Sequence, residues 1–291
     1  MENLIKKLDL NEYITNFSKL FAREKPIILE GDINIHYKII SELSKYNINQ
    51  PLSVQNLDSQ LMHLQKQGVL RVYEIYEFIK IINYFLYLKR FNFEGKLLEW
   101  MDKIIIPNDI LKICEYFDDK ANLKEGVYED FDNIKQAIYK NKEEIKQSLY
   151  KTINSSKIKP YLVDMQVHFI NEQECLLVRG GFNHILSGSV IDRSNSGFFY
   201  VIPHSVSDLK QKQSDLKNKQ EEILFRLCKE ISHIFERNLL FLKFINKEFD
   251  RFDHYQARIF FSKIGDKNFI LPSKKDENRL VDFCHPALSS P

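Results

Sequence analysis

Arg179, Asn183, His184, Arg193 and Asn195 fall within one short stretch, with Lys151, Lys157 and Lys159 before it and Lys210 and Lys212 after it. Guanidinium, ammonium and amide groups near turns suit contact with phosphate oxygens. Such contacts hold a protein on a nucleic-acid backbone without reading its bases. Between Lys135 and Lys159, seven lysines stand against Glu143 and Glu144 alone. A solvated helix face is often lysine-rich too, so charge by itself leaves both readings open. The formal net charge of +2 over 291 residues decides nothing; the local distribution carries the argument.

Other chemistries lack their residues. The chain has no GxxxxGK[ST] run, no GxGxxG and no HExxH. Its eight histidines are scattered. Its four cysteines (Cys114, Cys175, Cys228, Cys284) stand far apart, without zinc spacing, and read as free thiols of a reducing compartment. The acidic pairs Glu143-Glu144 and Glu221-Glu222 are adjacent on helices, so their carboxylates diverge instead of forming a dyad. The expectation is a chain with no catalytic constellation, metal site or cofactor of its own. The most apolar run, Phe78 to Leu88, is broken by Lys80 and Asn83 and is too short to span a bilayer. The opening MENLIKKLDLNEYI is amphipathic and lacks a signal-peptide core. A soluble cytoplasmic protein without membrane contact is expected.

The elements that must position the polar cluster follow from periodicity. Leu4, Ile5, Leu8, Tyr13, Ile14 and Phe17 keep helical spacing, as do Leu61 and Leu64 in a helix that stops at Gly68. Val72 to Phe91 is apolar nearly all round and reads as a buried core helix. Pro107 opens another helix. From Asp132, Ile134, Ile138, Ile145, Leu149 and Ile153 make a narrow stripe of coiled-coil width, and Leu209, Leu216, Ile223, Leu227, Ile231, Ile234 and Phe235 make a matching one. Two antiparallel arms of about 25 to 40 residues would reach roughly 40 to 60 Å. Between them the text changes to QVHFI, ECLLVRGG, ILSGSVIDR and SGFFYVIP, with turns at Asn171–Gln173 and Ser194–Gly197. After the second arm, Phe249 to Ile264 reads as helix and Gly265 to Ser273 as loop. The fold class expected is mainly α: a helical core with two long antiparallel lever helices carrying a small antiparallel β clamp. The divisions expected are 1–131 (core), 132–165 (first lever), 166–204 (clamp), 205–247 (second lever) and 248–291 (return to the core).

The stretch GFNHILSGSVIDRSNSGFFYVIPHSVSDLKQKQSDL carries Gly188, Val190, Asp192, Ser194, Ser196, Gly197 and Pro203 in a Gly-x-Val-x-Asp-x-Ser-x-Ser-Gly run leading to a proline and a long helix. It resembles the second bacterial branch of the MutS family, the recombination-suppressing relatives of the mismatch-repair ATPase. The closing CHPAL (Cys284 to Leu288) is similar to a run just ahead of the family's ATPase domain. LDLNEYI and LDSQLMHLQKQGVL also resemble that branch. The resemblance covers nearly the whole chain and implies core, lever and clamp parts without the ATPase domain. For the intact parent it implies ATP and Mg, dimeric clamping on branched or unusual DNA, suppression of homologous recombination and an endonuclease activity. Some relatives of this kind act on stalled ribosomes, so a coiled-coil module acting on a protein or ribosome is the alternative. The stretch departs from the family pattern at Ile202, Lys210 and Gln211. Asp192, Ser194 and Ser196 are read first as turn-closing side chains and second as DNA contacts.

Overall fold

The computed structural model describes residues 7–171 and 173–264, with Asn183 described by its backbone alone. The expected helix start at Leu4 and Ile5, the loop at 265–273 and the CHPAL run lie outside the described residues. The chain divides into two compact units, Met1–Leu123 with Cys228–Pro291, and Lys124–Leu227.

The first unit is helical. It holds α1 (Asn11–Ser18), α2 (Ile33–Leu43), α3 (Asp58–Gln65), α4 (Val72–Leu88), α5 (Gly95–Asp102), α6 (Asn108–Glu115) and α9 (Leu239–Ile264). α4 is the expected core helix. Ile75, Phe78, Ile79, Ile81, Ile82, Phe85 and Leu88 are all buried, and burying each such side chain stabilises the fold by about 1.5–3 kcal/mol. α9 meets it with Phe249 and Phe252, whose rings stand edge-on to Tyr84 at 6.2 and 5.6 Å. Polar closure is local as well: Asp32 accepts the Asn34 N–H at 2.8 Å to cap α2, and Glu74 accepts the Arg71 N–H at 2.8 Å to cap α4.

The second unit is built on α7 (Glu129–Ile153) and the part of α8 (His204–Arg237) that ends at Leu227. Glu129, Asp130 and Asp132 occupy the first turn of α7 and Lys151 its last, which suits the helix dipole. Contacts between the two helices run in opposing order: Ser148 Oγ donates to the Ser205 carbonyl at 3.3 Å, Lys212 pairs with Glu144, and Arg226 pairs with Asp130. Asn141 is fully buried between them and donates to the Leu209 carbonyl at 3.2 Å.

Four antiparallel strands complete this unit: β1 (Leu162–Ile170), β2 (Gln173–Val178), β3 (Gly188–Arg193) and β4 (Phe199–Pro203), in the order β1-β2-β4-β3. The face of the sheet bearing Leu162, Leu176, Val178 and Val201 packs on Ile145, Leu149 and Ile153 of α7 and Val206 of α8. The sequence places the start of the first strand at Gln166, but the structure places it at Leu162, directly after a 3-10 turn at Lys159–Tyr161. The second long helix is expected to run to 247 but ends at Arg237. Asn238 turns its amide back to the Ile234 carbonyl at 2.9 Å, and α9 begins at Leu239.

Candidate nucleic-acid interface

Strand register decides which of the cationic residues meet. Leu162 pairs with Val178, Val178 with Phe199, and Phe199 with Arg193. These four residues form one row across the sheet, about 15 Å wide at the usual strand spacing. Lys159 precedes the row, Arg179 follows Val178, and Asn195 sits in the turn beyond Arg193. The topology therefore brings Lys159, Arg179, Arg193 and Asn195 to one end of the sheet, and all four are exposed. The Arg179 N–H donates to the Tyr161 carbonyl at 2.8 Å, which ties that arginine to the turn bearing Lys159.

Two further features prepare this end. The Arg193 guanidinium stacks 4.6 Å from the centre of the Phe199 ring, and Phe199 leans on the buried Phe182 at 5.6 Å. That cation–π contact fixes the side chain without neutralising its charge. The acids nearby are engaged locally. Asp192 accepts the Arg193 N–H at 2.7 Å, and Asp164 pairs with His168 at 3.0 Å. Among the described residues, Lys151, Lys157, Lys159, Arg179, His184 and Arg193 have no carboxylate partner. Lys151 and Lys157 are exposed near the end of α7, and His184 is exposed in the 3-10 turn Phe182–His184. The Asn183 side chain lies outside the described residues.

The lysines of α8 behave differently. Lys210 is expected above to contact phosphate. The structure pairs its ammonium with the Glu174 carboxylate, at 14% side-chain exposure. Burial lowers its pKa from the ordinary lysine value, and Lys217 lowers it further. Its charge is already committed within the fold. Lys212 stays 55% exposed, 3.3 Å from Glu144, in a surface pair of little energetic weight.

The motif around the β3–β4 turn has structural reasons. A Cβ on Gly188 would lie 2.6 Å from the Ile202 carbonyl oxygen, so only glycine fits against β4. Gly197 has φ +80°, and its N–H donates to the Ser194 carbonyl at 2.9 Å. Ser194 Oγ accepts the Phe198 N–H at 3.1 Å. Ile191 is the extra residue of a bulge between Val190 and Asp192, which re-aims the end of β3. Sequence reasoning missed Phe199 as the platform for Arg193. The five-residue connection between them was the available signal, because it makes the two residues cross-strand neighbours.

Cys114, Cys175 and Cys228 are buried free thiols, and burial pushes the Cys175 pKa up to about 11. Among the described residues, no group of three or more His, Cys, Asp or Glu is placed to hold a metal ion, and no helix is long and apolar enough to cross a membrane.

No protein-family model matches the chain. Among curated proteins it is similar to one named Endonuclease MutS2 from Helicobacter pylori strain ATCC 700392 / 26695. Identity is 33% over 294 aligned positions, covering 99% of this chain and 38% of that protein. A protein of the same name from Helicobacter pylori strain J99 matches at the same identity and coverage. The chain thus spans 38% of the length of these curated relatives.

Proposed function

With the similarity to MutS2 proteins supporting a MutS2-related family, we propose that this chain is the DNA-embracing region of a longer MutS-like protein. In this reading α7 and α8 act as levers, the four-stranded sheet is the clamp, and the sheet end bearing Lys159, Arg179, Arg193 and Asn195 grips phosphates. The carrying observation is the register that gathers these groups while leaving their charges unpaired. B-form DNA offers one phosphate charge per ~1.7 Å of axis, so a row about 15 Å wide meets several at once. Contact of this kind suits duplex or branched DNA, held by shape and charge instead of base identity.

In the longer protein, two copies closing on one DNA gain from simultaneous engagement. In this reading ATP and Mg belong to that longer protein, as the family resemblance implies. Suppression of homologous recombination, DNA cleavage, homodimer formation and a cytoplasmic setting belong to the same reading of the parent.

Gel-shift titrations of four-way junction and duplex DNA at two salt concentrations test the reading. Junction and duplex are expected to shift at low salt and to be released steeply as salt rises. Absence of any shift at low salt contradicts it. Cosedimentation with ribosomal particles and no DNA affinity would transfer the role to the ribosome.

A further inference from the structure

At the opposite end of the sheet, the β1–β2 hairpin lies along α7 and α8 and leaves a groove of about 610 Å³. Phe169 pairs with Glu174, four residues along β2 from Val178, so these groove residues stand about 13 Å from the cationic row described above. Lys142 and Lys146 line one wall and Lys217 the other. Lys142, Lys146 and Tyr150 follow at four-residue steps and so share one face of α7. None of the three lysines is in an ion pair among the described residues. Of the two acids in the groove, Glu174 is already neutralised by Lys210, and Glu143 is half-buried. Cationic charge therefore predominates.

The groove also displays aromatic faces. Phe169 is 66% exposed and Tyr150 49% exposed, both lining it. Phe169 is not needed for the sheet's core, which is built from Leu162, Leu176, Val178 and Val201 on the packed face. Rings flanked by cations complement one ligand class: unpaired nucleotides, whose bases stack on the rings while phosphates meet the ammonium groups. In a duplex the base faces are consumed by their own stacking, so the groove has nothing to grip there except phosphate.

We propose that this groove binds a single-stranded nucleic-acid segment, stacking bases on Phe169 and Tyr150 and pairing phosphates with Lys142, Lys146 and Lys217. The site is separate from the duplex-gripping end and stands whether or not that end binds DNA. A branched substrate carries both forms, and the two sites would then sort duplex from loose strand along one face of the unit.

The test uses the whole chain and fluorescein-labelled oligomers of twelve deoxythymidines or twelve uridines at low salt, read by anisotropy. The intact chain is expected to bind at least one of them, and the tighter of the two identifies DNA or RNA as the source. Phe169→Ala combined with Tyr150→Ala should weaken that binding on the order of tenfold or more, with duplex affinity unchanged. Both side chains are exposed, so thermal unfolding should match the parent. Phe169→Trp should retain the binding that the alanine variant loses, a difference that a merely electrostatic groove would not show. Photocrosslinking of 5-bromouracil-substituted oligomer should label peptides carrying Tyr150 or Phe169. Failure of the intact chain to bind either oligomer, or equal binding by the double variant, overturns the proposal. Loss of single-strand binding in an Arg179→Ala, Arg193→Ala variant with the aromatic variant unaffected overturns it too, by moving the site to the other end.

Discussion

In the helical unit, Arg23 and Lys25 have 5% side-chain exposure and reach Asp250 at 2.6 Å, with Lys25 also 2.7 Å from Asp253. In the sheet unit, Lys159, Arg179 and Arg193 stand exposed at one end of the strands and form no ion pair among the described residues. The residue types are the same, but their roles are opposite. Arg23 also donates to the Asn246 side chain at 2.8 Å and to its backbone carbonyl at 3.1 Å, so it closes a buried polar network. Desolvation has been offset there by partners, and no charge is left over for a ligand. At the sheet end the cations keep their water until something anionic replaces it. Partner state, more than residue type, separates structural cations from binding ones.

Breaking the contrast should be easiest on the structural side. Arg23→Met removes donors from Asp250 and Asn246 and is expected to cost about 3 kcal/mol or more of unfolding free energy. Urea denaturation measures this, and an unchanged midpoint would mean that the network carries no stability. DNA affinity per folded molecule should stay as it was. Gly188→Ala comes next, because its methyl would press on the β4 backbone. A loss of about 1–3 kcal/mol is expected, again by denaturant unfolding.

The helical unit should also respond to pH. His254 is buried, and its Nδ1 accepts from Arg258 at 3.0 Å. Burial first, then the neighbouring Arg258 and Lys25, lowers its pKa to about 4. Below the ordinary value of 6.5 the unfolded chain takes up a proton that the folded chain refuses. Stability contributed by the neutral ring is therefore full above about pH 6.5 and lost as pH falls toward 4. Denaturation series across that window should show the decline, and His254→Gln should flatten it. The smallest effect expected is on binding by Lys210→Ala. Since this lysine is spoken for by Glu174, DNA affinity and its salt slope should be unchanged within error.

Much of this architecture was legible in the residues. α4 announced itself because Ile, Phe and Leu wrap its circumference, and burial of seven of its side chains follows from that. The four strands were legible because β-branched and aromatic residues gather between glycines. Of the stripe Ile134, Ile138, Ile145, Leu149 and Ile153, all are buried except Ile138, which is half-buried. What was not legible depends on distant or weak signals. No glycine or proline marks the break at Asn238, where a single asparagine amide ends the helix. Leu162 to Met165 follow a polar, proline-bearing turn and look like its continuation, yet Leu162 pairs with Val178 and the strand bulges before Val167 rejoins β2. Within the candidate interface, Lys210 and Lys212 look alike in sequence. Only the fold brings Glu174 to the first, across a separation that no local pattern reports.

The account rests on uncommitted charge at one end of the sheet, and salt dependence measures that charge directly. The slope of log affinity against log salt for duplex DNA should fall by about one for each phosphate contact removed. For Lys159→Ala, Arg179→Ala and Arg193→Ala combined, the expected change is a slope shallower by about three with thermal stability retained. A slope identical to that of the parent chain, in a variant that remains folded, would contradict the account.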